Sequence, residues 1–582
     1  MANPATLWAR TFVAALARAG LGSVHIAPGS RSTPLVLAFA RQEGIAVHSH
    51  LDERSAAFFA LGMALAQDAP VALLCSSGTA AANFFPAIIE AHMARVPLLV
   101  LTADRPPELR HSGANQTIDQ VKLYGEYVLW AVDCALPEDR PADLALRNLR
   151  TLAARALALA NGVRKGVVHI NMPFRKPLEP DAGDETPPCE QPQAVVPWTA
   201  IADAPALRER DLTELVSLIE RGREGLLVCG PGSAREFPVA SVLAFARRTG
   251  WPLLCDPLSG LRYAGERVVA CADTILDARP AAAPRPDVVL RLGAVPTSAA
   301  VNAWLDAQRP RCQVQLAPSG VWADDSHRTT HFLPAGAAVL DALCAALPEP
   351  AGRPSGATWW ARAEAVARTT LGEALAGGAW FDGAAVAETL QRLPDGATLF
   401  AGNSLPVRLL DQFGLPAGRR LQTFSNRGAS GIDGNLSTAF GIALARKAQP
   451  AIALVGDITF YHDMNGLLAL RSNGLAPTIV LLNNNGGGIF RRLPVRAFEP
   501  AFTRLFLTPH GLDFHHAAAL YGLDYVRAVD RGAFRAALTD SLDAGRARII
   551  EVRTDAREDL QWRGALIAEV GVQLDAMAIR AD

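Results

Sequence analysis

The chain has 582 residues, half of them hydrophobic and 19% charged, enough apolar material for several buried cores. Its 56 basic and 57 acidic residues leave a formal net charge of −1, so nucleic-acid binding has almost no electrostatic support. The longest uncharged run, 71–89, contains Ser76, Ser77, Gly78, Thr79, Asn83 and Pro86 and reads as strand, turn and helix start, which argues against membrane insertion.

Near the N-terminus the apolar residues 12–17, flanked by Arg10 and Arg18, have the period of an amphipathic helix, not of a signal peptide. The stretch HIAPGSRSTPL places Ser30 and Arg31 beyond a strand. In VHSHLDERSAAFFALGMALA, Asp52 reads as an N-cap, with Ala57, Phe58, Leu61, Ala64 and Leu65 as the buried stripe of the helix that follows. Glu53 falls in its first turn, where an acid complements the helix dipole. VALLC, PLLVLTA and GVVHINM are further strands, as are LLVCG and DVVLRLG, then AIALVGD, TIVLLNNN and RIIEVRT. Proline-rich runs at 176–197 and 347–356 read as linkers, giving domains 1–180, 198–346 and 357–582. Strands alternating with helical patterns predict an α/β protein with three open parallel-sheet domains, whose ligands bind beyond the carboxyl ends of the strands. The eight cysteines form no CxxC pair, so reduced thiols in a cytoplasmic protein are expected.

The third domain carries the clearest chemistry. Gly456 and Asp457 end one strand, and the next runs into Asn484 and Gly486 of NNNGGGIF. A hard cation such as Mg²⁺ (or Mn²⁺) takes oxygen ligands in an octahedron, completed by phosphate oxygens. Asp457, the Asn484 amide and a backbone oxygen near Gly486 are the candidate metal ligands. The glycines admit backbone N–H groups to an anion, and a helix opening near Asp463 is expected to add its dipole. Either motif alone reads equally well as a capping turn or a plain loop.

Together, GD followed by NNNGG resembles the diphosphate-binding motif of the thiamin-diphosphate-dependent decarboxylase and carboligase family, with Ile458 departing from the glycine many members have. The resemblance implies thiamin diphosphate as cofactor, with Glu53 bonding its pyrimidine ring and promoting loss of the thiazolium C2 proton. Residues 30–35, 102–110, 113–120, 402–408, 425–434 and 483–490 are similar to one branch of that family. That branch decarboxylates 2-oxoglutarate and adds the carbanion to isochorismate in a 1,4-addition on the way to menaquinone. Both substrates are dianions, and arginine is the natural partner of a carboxylate.

By resemblance, Ser30, Arg31, Arg105, Asn115, Gln116, Ser404 and Arg408 line the substrate site, with Ile489, Phe490 and Leu493 as its apolar wall. Catalytic roles are implied for Glu53, Arg31, Arg408 and Arg427. Cofactor contacts are implied for Glu53, Ser404, Ile432, Gly456, Asp457, Asn484, Gly486 and Ile489. A family lysine is replaced by Ala299, whose job would fall to Arg291, Ser298 or another residue, and no flavin is expected in the middle domain. A homodimer or dimer of dimers with active sites at the subunit interface is also implied. Another thiamin-dependent 2-oxoacid decarboxylase and a catalytically silent relative remain the alternatives.

Overall fold

The computed structural model describes residues 3–181, 209–264, 268–348, 355–378 and 380–579. Residues 182–197 and 349–354 of the expected linkers, and Cys189, lie outside the described residues. Two compact units form: Met1–Ala204 with Asn426–Lys447 and His462–Leu475, and Pro205–Ser425 with Ala448–Tyr461 and Ala476–Asp582.

The first unit is built on β1 (Ser23–Ile26), β2 (Ala46–Ser49), β3 (Val71–Cys75), β4 (Leu98–Asp104), β5 (Trp130–Asp133) and β6 (Val167–Pro173). They pair in parallel in the order β2-β1-β3-β4-β6-β5. β3, β4 and β6 are buried along their whole length, which is why they read as unbroken apolar runs. One face is covered by helices Pro4–Arg18 and Asp143–Ala160 and the other by Glu53–Gln67 and Phe85–Ala94. The expected stripe on Glu53–Gln67 was too narrow. Ser55 through Ala64 are all buried while Leu65 is only half-buried, because helix Asn435–Ala445 packs on it in addition to the sheet.

The second unit holds two parallel sheets. One comprises β7 (Gly225–Cys229), β8 (Leu253–Cys255), β9 (Val288–Leu292), β10 (Cys312–Leu316) and β11 (His331–Leu333), in the order β11-β10-β9-β7-β8. The other comprises β12 (Thr398–Ala401), β13 (Gln422–Phe424), β14 (Ala451–Gly456), β15 (Thr478–Asn483), β16 (Asp524–Ala528) and β17 (Arg548–Arg553). Its order, β13-β12-β14-β15-β17-β16, repeats that of the first unit's sheet strand for strand. Three open parallel sheets is the expected fold class. The seven described cysteines are free thiols, six of them buried.

This strand order fixes where ligands can sit. Successive crossovers leave β1 in opposite directions, to β2 and then back across to β3, and the same reversal occurs at β12 and β14. Loops leaving the carboxyl ends of two such strands diverge and open a crevice. The crevice-forming loops therefore begin at Ala27 and Ser76 in the first unit, and at Gly402 and Asp457 in the second.

Candidate active site

At the first reversal, Ser30 and Arg31 lie in a 3₁₀ turn directly after β1. Ser30 is exposed, whereas Arg31 is buried and donates from Nη1 to the Phe174 carbonyl at 2.7 Å. Arg105 follows β4 and is also buried. It donates to Ser77 Oγ at 2.5 Å and to the Asn115 carbonyl at 3.0 Å. Burial, then the like charge of Arg105, lowers the Arg31 pKa, while Asp104 opposes them. The loop at 115–116 is tied to the same place: Gln116, at φ +54°, donates from Nε2 to the Ser77 carbonyl at 2.9 Å, and Ser77 Oγ donates to its carbonyl at 3.0 Å. Arg31, Arg105, Asn115 and Gln116 are thus gathered around the ends of β1, β3 and β4.

Glu53 is the first residue of its helix, behind the N-cap Asp52, whose Oδ1 accepts the Ser55 amide at 3.1 Å. It is half-buried and close enough to Cys75, at the end of β3, to raise that thiol together with the dominant effect of burial. The helix start is held from residues far along the chain. Asn465 donates to Asp52 Oδ2 at 3.0 Å, and Arg54 donates to the His462 carbonyl at 2.7 Å.

At the second reversal, Ser404 stands at φ +71° before helix Leu405–Phe413, a strained conformation for a side chain with a Cβ. Arg408 lies one turn in and donates to the Ser404 carbonyl at 2.6 Å. Asp457 is 3% exposed. Its Oδ1 accepts the Ile458 amide at 2.7 Å, its Oδ2 accepts the Gly486 amide at 2.9 Å, and His510 Nε2 lies 3.2 Å from Oδ2. Burial raises its carboxyl against these donors. Gly486, at φ +136°, has no room for a side chain, since a Cβ would lie 2.1 Å from the Leu507 carbonyl oxygen. Asn484 keeps a buried Oδ1 with no donor among the described residues, beside the Asp382 carboxyl. One carboxylate, one orphaned amide oxygen and the carbonyls of a glycine loop suit a hard cation whose shell is completed by phosphate. Among the described residues no three His, Cys, Asp or Glu side chains could hold a metal by themselves.

Ile489, Phe490 and Leu493 follow on the turn Gly488–Arg492 and its end; the first two are half-buried and Leu493 is exposed. Arg427 and Ile432 lie on the loop before helix Asn435–Ala445, in the first unit, both half-buried.

A short helix does open near Asp463: the 3₁₀ turn Met464–Leu467, with Asp463 at its N-cap, runs directly into helix Leu468–Asn473. The Asp463 side chain does not cap that turn; it is buried and accepts the Ser437 amide at 2.6 Å. Arg291 and Ser298, the residues expected to take over from the missing lysine, both have partners within the middle of the chain. Arg291 is buried in an ion pair with Asp324 at 2.7 Å, and Ser298 caps helix Ala299–Ala307 while donating to Asp273 at 2.5 Å.

Sequence reasoning missed His510, Asp382 and Arg492. Asp382 shares a buried site with Asp559, and burial, then that neighbour's charge, raises its carboxyl well above the usual range. Arg492 makes no hydrogen bond or ion pair among the described residues, and burial, followed by Arg563, pulls it to about 10. The doubled arginine of IFRRLP was its only signal.

These two switch-point sites are those of a thiamin-diphosphate enzyme. The N-terminal TPP binding domain of thiamine pyrophosphate enzymes matches residues 8–123, the middle domain of thiamine pyrophosphate enzymes 193–401, and the C-terminal TPP binding domain 408–552. Within that class the chain belongs to the family of 2-succinyl-5-enolpyruvyl-6-hydroxy-3-cyclohexene-1-carboxylate synthases. A relative of that description from Roseiflexus sp. (strain RS-1) is 55% identical, over 97% of this chain and 98% of its own. One from Geobacillus thermodenitrificans is 43% identical over 99% and 98%, and one from Halobacterium salinarum 43% identical over 98% of each.

Proposed function

We propose that the chain decarboxylates 2-oxoglutarate and adds the resulting carbanion to isochorismate by 1,4-addition, releasing CO₂ and forming 2-succinyl-5-enolpyruvyl-6-hydroxy-3-cyclohexene-1-carboxylate for menaquinone biosynthesis. One observation carries this reading at the level of the site. Arg31 and Arg105 are buried cations whose guanidiniums, among the described residues, donate only to neutral oxygens. Keeping two guanidiniums out of water without carboxylate partners is costly unless a ligand supplies the negative charge. Dianionic substrates do so.

Thiamin diphosphate, when bound, supplies the carbon acid that lets a 2-oxoacid lose CO₂. The chain's own residues do the rest. Glu53 holds the proton shared with the cofactor's pyrimidine nitrogen. Asp457, the Asn484 amide and the Gly486 loop bind Mg²⁺ or Mn²⁺, and Gly456 lets the diphosphate approach. Ser404 contacts cofactor and substrate, Ile432 and Ile489 pack the cofactor, and Phe490 and Leu493 exclude water. Ser30, Arg31, Arg105, Asn115, Gln116, Arg408 and Arg427 orient the substrate carboxylates, the arginines bidentately. The working unit is a homodimer or a dimer of such dimers, in the cytoplasm; among the described residues no helix is long and apolar enough to cross a membrane.

The test is consumption of isochorismate by purified protein with thiamin diphosphate, Mg²⁺ and 2-oxoglutarate. Loss of isochorismate that requires both substrates supports the reading. CO₂ release without isochorismate loss identifies a simple decarboxylase, and no turnover identifies a silent relative.

A further inference from the structure

The loop carrying Arg427 takes its backbone conformation from a side chain outside it. Glu90, on helix Phe85–Ala94, is 3% exposed and points its carboxylate into the loop. Oε1 accepts the Gly428 amide at 2.6 Å, and Oε2 accepts the amides of Ala429 at 2.6 Å and Ser430 at 3.2 Å. Three successive N–H groups converging on one anion form a nest, filled here by the protein's own carboxylate. Ser430 sits at φ +62°, a conformation that persists in a non-glycine residue only where its surroundings impose it. Gly428 permits the approach, since a Cβ there would lie 2.6 Å from the Glu90 carbonyl oxygen and 2.7 Å from the Ala94 nitrogen. Burial raises the Glu90 carboxyl above the ordinary glutamate range, opposed by the three loop amides and then by the nearby Arg427.

We propose that Glu90 is a positioning residue for the reaction: its buried carboxylate fixes the backbone at 428–430 and so sets where the Arg427 guanidinium stands. The inference rests on Arg427 belonging to the substrate site. A carboxylate that merely glued a helix to a loop would affect stability and leave the kinetics of folded enzyme alone. A positioning carboxylate acts through Arg427, so its removal and that of Arg427 overlap.

Glu90→Gln puts an amide NH₂ against backbone donors while keeping the side chain's shape. The holoenzyme, with saturating thiamin diphosphate and Mg²⁺, is assayed for kcat and KM with isochorismate and 2-oxoglutarate, alone and combined with Arg427→Ala. Expected are a fall in kcat/KM of about 10- to 100-fold for Glu90→Gln, and a double variant within about threefold of Arg427→Ala alone. Wild-type kinetics for Glu90→Gln, or losses that multiply in the double variant, overturn the proposal. Should Glu90→Gln not fold, Gly428→Ala displaces the loop with Glu90 intact, and the same loss and overlap are expected; wild-type kinetics there are equally fatal. Wild-type kinetics for Arg427→Ala would remove Arg427 from the substrate site, and with it this inference, a result separate from failure of the Glu90 variants alone.

Discussion

Asp457 is held by two backbone amides and the His510 ring. Burial nevertheless raises its carboxyl above the ordinary aspartate value of 3.8, and the sign of that shift has a consequence. The folded state holds the proton more tightly than the unfolded chain, so from 3.8 up to the raised value stability falls as pH rises, and at pH 7 the ionised group is a net cost. Asp457→Asn should therefore leave the thermal midpoint of the cofactor-free protein unchanged or higher at pH 7. The same substitution removes the one charged ligand proposed for the metal, so cofactor affinity measured by calorimetry at fixed Mg²⁺ should fall by about 100-fold or more. A lower midpoint with intact cofactor binding would make Asp457 a structural acid, not a ligand. In the proposed site, function and stability would pull apart at this residue.

Helix Glu53–Gln67 meets helix Asn435–Ala445 through two glycines. A Cβ on Gly62 would lie 2.0 Å from the Thr438 carbonyl oxygen, and one on Gly441 1.9 Å from that of Phe59. Gly62→Ala or Gly441→Ala must push the helices apart, at a cost of about 1–3 kcal/mol in denaturant melts; no loss in either would mean that the pair packs differently. Beneath this contact, β1 and β2 set three histidines together: His25 Nδ1 lies 2.9 Å from His50 Nε2, and His25 stacks on His48 at 4.9 Å. Burial, then His48, lowers His50 to about 4. The unfolded chain takes that proton near 6.5, so the contribution is complete above 6.5 and lost as pH falls toward 4, worth roughly 3 kcal/mol. The stability difference between wild type and His50→Gln should shrink by that order between pH 7.5 and pH 4, and a constant difference would show that His50 takes up its proton at the same pH in the fold as in the unfolded chain. The strands and their end loops were legible in the sequence because apolar runs and loop motifs are local, which is how Arg31, Asp457 and Asn484 were placed at strand ends, while Ser404 came only from the family resemblance. Helix Asn435–Ala445 was not placed against Glu53–Gln67, nor His510 beside Asp457, because both contacts span tens to hundreds of residues with no local signature. The same holds for Glu90, which reads as an ordinary acid on an apolar helix until the loop at 428–430 is folded onto it.

Large apolar side chains stand exposed near proposed site residues in both units of the single chain. Leu51, two residues before Glu53, is 75% exposed, and Leu493, Phe498 and Leu505, beyond the glycine loop, are 48%, 66% and 65% exposed. Apolar surface beside a site is what a partner subunit covers. In the proposed assembly Glu53 of one chain and Asp457 of its neighbour serve the same cofactor, so the smallest active unit is a two-fold dimer with two sites. Co-expression of Glu53→Gln and Asp457→Asn chains tests this. Each variant alone has a lesion in every site and should be nearly inactive. A mixed dimer has one site with both lesions and one with neither. Random pairing makes about half of the dimers mixed, and one of the two sites in each is intact, so about a quarter of wild-type activity should return. If Glu53 and Asp457 of one chain served the same site, every site in a mixed dimer would keep one lesion and no activity could return. Separable affinity tags on the two variants allow mixed dimers to be isolated first, so that absent recovery in verified mixed dimers counts against the shared site, not against exchange of subunits.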